Sequence, residues 1–109
     1  MAQAQNRLLL MLLTDRAIAD IDTIFDYVTR ESSAERALAV EQEFFKRFTL
    51  LASRPGIGHR RNDLTSRRLL FSRVYNWLII YSCGQEQITV RAVLHGARDV
   101  RAFLSRRIR

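Results

Sequence analysis

The sequence predicts an α+β domain: a small, mostly antiparallel four-stranded sheet packed against an antiparallel helical hairpin (β-α-α-β-β-β), with a short C-terminal helix. Three observations carry this. Across residues 14–53 apolar side chains recur at helical spacing, interrupted once by a short polar turn. Across residues 67–95 the period drops to two, and aromatic and β-branched residues concentrate between brief turns. Ahead of the first helix, an unbroken apolar run supplies a fourth strand.

Taken in order, residues 7–13 read as a buried strand flanked by Arg7 and Thr14. The run Leu8-Leu9-Leu10-Met11-Leu12-Leu13 is far too short to span a bilayer. With Ala17-Ile18-Ala19 behind it, the segment faintly imitates a signal peptide, but Asp15 and Arg16 interrupt that pattern. The chain is therefore read as soluble, unexported and cytoplasmic, with no membrane partner. Ala17, Ile18, Ile21, Ile24, Phe25 and Val28 mark the first helix, capped by Thr14 or Asp15 and ending near Arg30, while Asp15, Asp20, Asp22 and Asp26 point elsewhere. Ser32-Ser33-Ala34-Glu35 reads as a capping box for a longer helix carrying Phe44, Phe45, Phe48 and Leu51. Pro55, Gly56 and Gly58 stop that helix. A polar loop leads to strands over Arg67–Val74, Trp77–Cys83 and Gln87–Leu94, whose short connections imply consecutive antiparallel pairing. In the last strand, alternation puts Ile88, Val90, Ala92 and Leu94 on one face, and Thr89, Arg91, Val93 and His95 on the other. The tail places Val100, Phe103, Leu104 and Ile108 at helical intervals. The helical hairpin covers one face of the sheet, leaving the other open to solvent or reserved for a partner.

Composition supports a single domain over 1–109, with residues 1–6 read as flexible and 100–109 as an arginine-rich tail. At 109 residues, 48% apolar and 27% charged, the chain is neither disordered nor a coiled coil. Cys83 alone excludes a disulfide framework and any multi-cysteine zinc site. The net charge of +7 is unevenly distributed: residues 1–55 sum to −1, while residues 56–109 carry eleven arginines against Asp63, Glu86 and Asp99, giving +8. Such a surface attracts nucleic acid or an acidic protein, and composition does not choose between them.

Several chemistries are poorly supported. Cys83 lies in a predicted central strand without a nucleophile elbow and reads as inert packing. His59, His95 and the scattered acids lack metal-ligand spacing, and no glycine-rich phosphate loop is present, so no metal or cofactor is implied. The pairs Asp22/Asp26 and Glu41/Glu43 read as solvated helix surface. What remains is the arginine set: Arg60, Arg61, Arg67, Arg68, Arg73, Arg91 and Arg98, together with His95. Arg91 and His95, four apart on one strand, share a face by alternation, and Arg73 borders the core. A metal-free ribonuclease would need a base, an acid and a cation for the phosphorane charge, which His95 or Tyr81 with Arg73, Arg91 and Arg98 could supply. A packed ring with a satisfied hydroxyl is the plainer reading of Tyr81.

At this point the order of elements and several strings resemble the ParE/RelE superfamily of type II toxin–antitoxin toxins, over about residues 7–99. Ala17, Asp20, Ile21, Ile24, Tyr27 and Val28 match its first helix, and Leu51, Pro55, Gly58 and Asp63-Leu64 match the end of the second helix and its loop. Arg67 or Arg68 opens the next strand, and Trp77-Leu78-Ile79-Ile80-Tyr81 looks like the central one. Most specific is Ile88 to Asp99, ending in the Leu-His-Gly-x-Arg-Asp signature. The resemblance, closer to the ParE branch, implies a toxin without catalytic residues of its own that inhibits DNA gyrase and pairs with a ParD-like antitoxin in a hetero-oligomer. Arg60, Arg61, Arg67, Arg68, Arg91, His95 and Arg98 would then meet the target. The alternative is a RelE-like endoribonuclease acting on mRNA at the ribosome through Arg73, Arg91, His95 and Arg98. The absence of lysine from this half weakens that alternative.

Overall fold

A computed structural model describes residues 9–96 and 98–108; residues 1–6, read as flexible, lie outside that range. Strand β1 (Leu10–Leu13) leads into α1 (Asp15–Glu31) and α2 (Ala34–Ser53), then a 3-10 turn at Pro55–Ile57. Strands β2 (Leu70–Val74), β3 (Trp77–Cys83) and β4 (Gln87–His95) follow, and α3 (Val100–Arg107) closes the chain. Thr14 caps α1, its hydroxyl accepting the Ala17 N–H at 3.1 Å. The cap of α2 is Ser33, accepting the Arg36 N–H at 3.0 Å, and not Ser32, which ends α1 with its own N–H on the Val28 carbonyl. Two adjacent serines thus divide the tasks that the predicted capping box gave to one.

The sheet order is β1-β4-β3-β2, with β4 pairing β1 in parallel and the other pairs antiparallel. Of the predicted buried strand at 7–13, residues 7 and 8 lie outside the described residues, and Leu10–Leu13 form not a buried strand but the edge strand β1, with Leu10 60% exposed. Its apolar run reflects one side of contact with the helices rather than burial on both faces. Cys83, predicted as buried packing, is exposed, because β3 runs out of the sheet's covered zone at its last residue.

A bulge falsifies the simple alternation of β4. Tyr81 pairs Val90 whereas Ile80 pairs Ala92, so Arg91 is the extra residue. Before it, Ile88 and Val90 face the helical hairpin; after it, Val93 does, and Ala92 and Leu94 turn to the opposite face. The sheet therefore has two cores. The hairpin buries Ile21, Ile24, Val40, Phe44 and Leu51 on Ile79, Tyr81 and Val90. On the other face, which the sequence left open or reserved, α3 buries Val100, Leu104 and Ile108 against Phe71, Leu78, Ile80 and Leu94. A helix of eight residues that buries two of them needs this sheet face to exist.

Tyr81 ties the loop after α2 to the sheet. Its ring is fully buried, its hydroxyl donates to the Pro55 carbonyl at 2.7 Å and accepts the Gly58 N–H at 3.0 Å. Gly58 must be glycine, since a Cβ there would stand 2.9 Å from two Tyr81 ring carbons. Removing the hydroxyl leaves both backbone groups without their partner, so Tyr81→Phe is expected to cost about 1–3 kcal/mol in urea unfolding. Burial pushes the phenol above its ordinary value, with Cys83 adding to the rise and the Gly58 N–H opposing it. A phenol held neutral in the folded chain contributes fully below its unfolded value of about 10, and that contribution is lost as pH rises through the folded value. The alkaline fall in melting temperature should be shallower in Tyr81→Phe; an unchanged slope would contradict this role.

Candidate functional site

The arginine-rich half folds so that some guanidinium groups converge and others do not. Four of them, Arg61, Arg73, Arg98 and Arg101, line one cleft of about 480 Å³ between the β2–β3 end of the sheet and the start of α3. They come from four places: the loop before β2, β2 itself, the turn after β4, and the first turn of α3. Arg61 grips Asp63 with two bonds, Nε to Oδ1 at 3.0 Å and Nη2 to Oδ2 at 2.8 Å. That hydrogen bond holds the Arg61 guanidinium above and the Asp63 carboxyl below their ordinary values. Arg101 donates to the Asp63 carbonyl, fastening the loop to α3. Arg60 contacts Asn62 at 3.3 Å beside this pair, and Arg67 and Arg68 are exposed in the segment leading to β2.

The Leu94–Asp99 signature resolves into architecture at nearly every position. Leu94 is buried under α3. His95 stands edge-on to Trp77, its pairing partner on β3, with ring centroids 6.5 Å apart. Gly96 donates to the Asn76 carbonyl at 2.8 Å, and a Cβ on it would lie 3.2 and 3.3 Å from the two terminal nitrogens of Arg73. Glycine thus lets the Arg73 guanidinium lie across the backbone. Arg98 sits 5.2 Å over the Phe103 ring, and Asp99 caps α3 through the Ala102 N–H at 3.1 Å. Arg73, read as bordering the core, is exposed on this backbone shelf.

On the other side of Arg98 lies a groove of about 610 Å³ between α1 and the end of the sheet. Ile24, Val93 and Leu94 contribute apolar lining, Tyr27 and Trp77 add aromatic walls, and Arg30, His95 and Arg98 bring positive or ionisable groups. Tyr27 is 53% exposed on α1 at this groove.

Asp20, which the periodicity sets off the apolar stripe of α1, is largely buried and organises the sheet edge. β1 pairs β4 only as far as Val90, leaving the β4 edge beyond it unpaired by strand. Asp20 accepts the Val93 N–H at 3.0 Å through one oxygen and Arg107 at 2.7 Å through the other. Arg107 also donates to the Arg91 carbonyl at 3.4 Å and lies 4.8 Å over Phe103. No local signal marks this pair, whose members are 87 residues apart.

The structure does not gather all the predicted residues. Arg91 is half-buried at the bulge, so its spacing of four from His95 no longer puts the two on one face by alternation. It lines neither concavity, and Arg67 and Arg68 do not either. Among the described residues no three His, Cys, Asp or Glu side chains form a metal-binding group. No helix among them is long and apolar enough to cross a membrane.

A family model for the ParE toxin of type II toxin–antitoxin systems, parDE, matches residues 11–100. A solved chain described as the chromosomal ParDE TA system from P. aeruginosa superposes with a TM-score of 0.69 at 17% identity. The alignment covers 81% of this chain and 96% of that one, a likeness of fold. No curated protein matches the chain.

Proposed function

Because the chain belongs to the ParE toxin family of type II toxin–antitoxin systems, we propose that it stops replication in the cytoplasm by binding DNA gyrase, with no bond cut by its own residues. A ParD-like antitoxin neutralises it in a hetero-oligomer. What supports binding over nuclease chemistry is the distribution of the candidate proton handler and cations. His95 and Arg98 line the groove beside α1, whereas Arg73 lies across Gly96 in the cleft on the far side of Arg98 and Arg91 is held at the bulge, so Arg98 is the one cation of the set that lines a concavity with His95. A phosphoryl-transfer site needs base, acid and charge stabiliser within reach of one phosphate. Within this reading, the exposed guanidinium groups of Arg60, Arg61, Arg67, Arg68 and Arg98 meet the target together with His95, and Arg91 serves the sheet edge.

The groove suits an antitoxin tail that lays apolar side chains on Tyr27 and Trp77 and sets its acids toward Arg30 and Arg98. Added salt should slow association more than it weakens the finished complex. Affinity that falls steeply with salt, yet ignores truncation of the tail's apolar residues, would contradict this docking.

Purified protein mixed with gyrase and plasmid should accumulate cleaved gyrase–DNA complexes, and translated transcripts incubated with ribosomes should stay whole. Discrete transcript cuts, lost on His95→Ala, would overturn the reading in favour of the ribonuclease.

A further inference from the structure

We propose that the cleft framed by Arg61, Arg73, Arg98 and Arg101 binds the phosphodiester backbone of nucleic acid. The site shares Arg98 with the apolar groove and is otherwise lined by different residues, and the inference does not depend on which enzyme the toxin meets. Two of the four guanidinium groups are already occupied in ways that shape the cleft. Arg61 is held by Asp63 and Arg101 by the Asp63 carbonyl, so they build its wall. Arg73 and Arg98 form no ion pair among the described residues. Arg73 lies flat over Gly96 and Arg98 over Phe103, and each keeps its donors for an incoming anion.

The acids nearby are spoken for as well. Asp63 is paired with Arg61, and the Asp99 carboxylate caps α3. Asp99 lines the cleft with its charge intact, but four guanidinium groups stand against these two carboxylates and leave the cleft net positive.

Phosphate is favoured over the carboxylates of an acidic protein segment by what the cleft lacks. Of its apolar members, Leu78 and Val100 are buried in the second core and Leu64 is packed against it, so little apolar ground is left for the anchors that give a protein segment its affinity. The groove across Arg98 has that ground in the exposed Tyr27 and the partly buried Trp77, and the cleft has guanidinium groups instead. Planar guanidinium forks suit phosphate oxygens, and backbone contacts of this kind need no apolar anchor.

The test is anisotropy of a labelled 20-base-pair duplex (a length of about two helical turns) and of a single-stranded RNA, each titrated with the full chain in the absence of gyrase. Three proteins are compared: native, Arg73→Ala/Arg98→Ala, and Arg16→Ala/Arg36→Ala on the helical hairpin. Melting curves confirm that each is folded. The cleft pair should weaken binding about ten-fold per guanidinium and lower the salt slope of log K by about two, whereas the hairpin pair should do neither. The duplex and RNA arms tell which backbone is preferred, and loss in either one through the cleft pair supports the site. Equal loss from both double variants, or no binding by the native chain at about 50 mM salt, would overturn it. So would poly-glutamate of equal charge competing as well as the duplex, which would assign the cleft to an acidic protein. Gyrase inhibition by the native chain, measured apart from its duplex binding, separates the two readings: inhibition without duplex binding overturns this site alone.

Discussion

A Phe44→Ala chain should unfold at a much lower urea concentration than the native one, with a stability loss of about 3–5 kcal/mol. Phe44 is 1% exposed and sits where α1, α2 and the sheet meet. Its ring contacts Phe25 edge-on at 6.0 Å, Phe48 at 6.1 Å and Trp77 at 6.0 Å. Truncation removes the buried ring and strands three aromatic neighbours around a cavity that rigid helices cannot close. Against a typical total of about 5–15 kcal/mol, that is a large share of stability. The neighbouring residue is the control. Phe45 is 72% exposed, and Phe45→Ala should shift stability by no more than about 0.5 kcal/mol. Similar costs for the two would mean that α2 presents a different face to the sheet.

Asp20→Ala should cost about 3 kcal/mol, though Asp20 is an acid on a helix rich in exposed acids. The change strands a guanidinium whose side chain is only 14% exposed and removes the acceptor of the Val93 N–H. Arg107→Ala should be comparably damaging, because it leaves the Asp20 carboxylate, itself 17% exposed, and the Arg91 carbonyl short of a partner. A double-mutant cycle should return a coupling of about 1–3 kcal/mol, since the second truncation removes the charge that the first left uncompensated. Asp20→Asn should fall between, keeping an acceptor for Val93 while losing the charge. Additive single costs would show that α1 and α3 are held to the sheet edge independently.

These two cases mark where the sequence is legible and where it is not. Helical periodicity around Ala17, Ile21, Ile24 and Val28 describes a face that the fold buries, because burial and period have one cause. The pairing of β2, β3 and β4 follows from short turns. The bulge at Arg91 leaves no trace in a period-two pattern, because apolar residues stand on both sides of it and either phase reads as a strand. With two covered faces, the alternation of Ala92, Val93 and Leu94 carries no information about which side is core. The covering of the second face was missed for a related reason. The tail is dense in arginine, and Val100, Leu104 and Ile108 become a buried stripe only when a sheet is present to receive them. Asp20 and Arg107 meet through tertiary structure alone.

The candidate site was legible as composition before it was legible as place. The arginine excess in residues 56–109 pointed to a cationic surface, and Arg61 and Arg98 do share a cleft. Arg73 and Arg101 complete that cleft, though charge alone did not distinguish them from their neighbours. The Leu94–Asp99 string carried the family resemblance, and its residues close the β3–β4 end, seat an arginine and start a helix.

The central claim is that the toxin acts by occupying a macromolecule, and a titration of gyrase supercoiling tests it most directly. With enzyme and plasmid fixed, supercoiling should fall in step with added toxin and level off once the gyrase is saturated. Undiminished supercoiling at large molar excess of folded toxin would contradict the account.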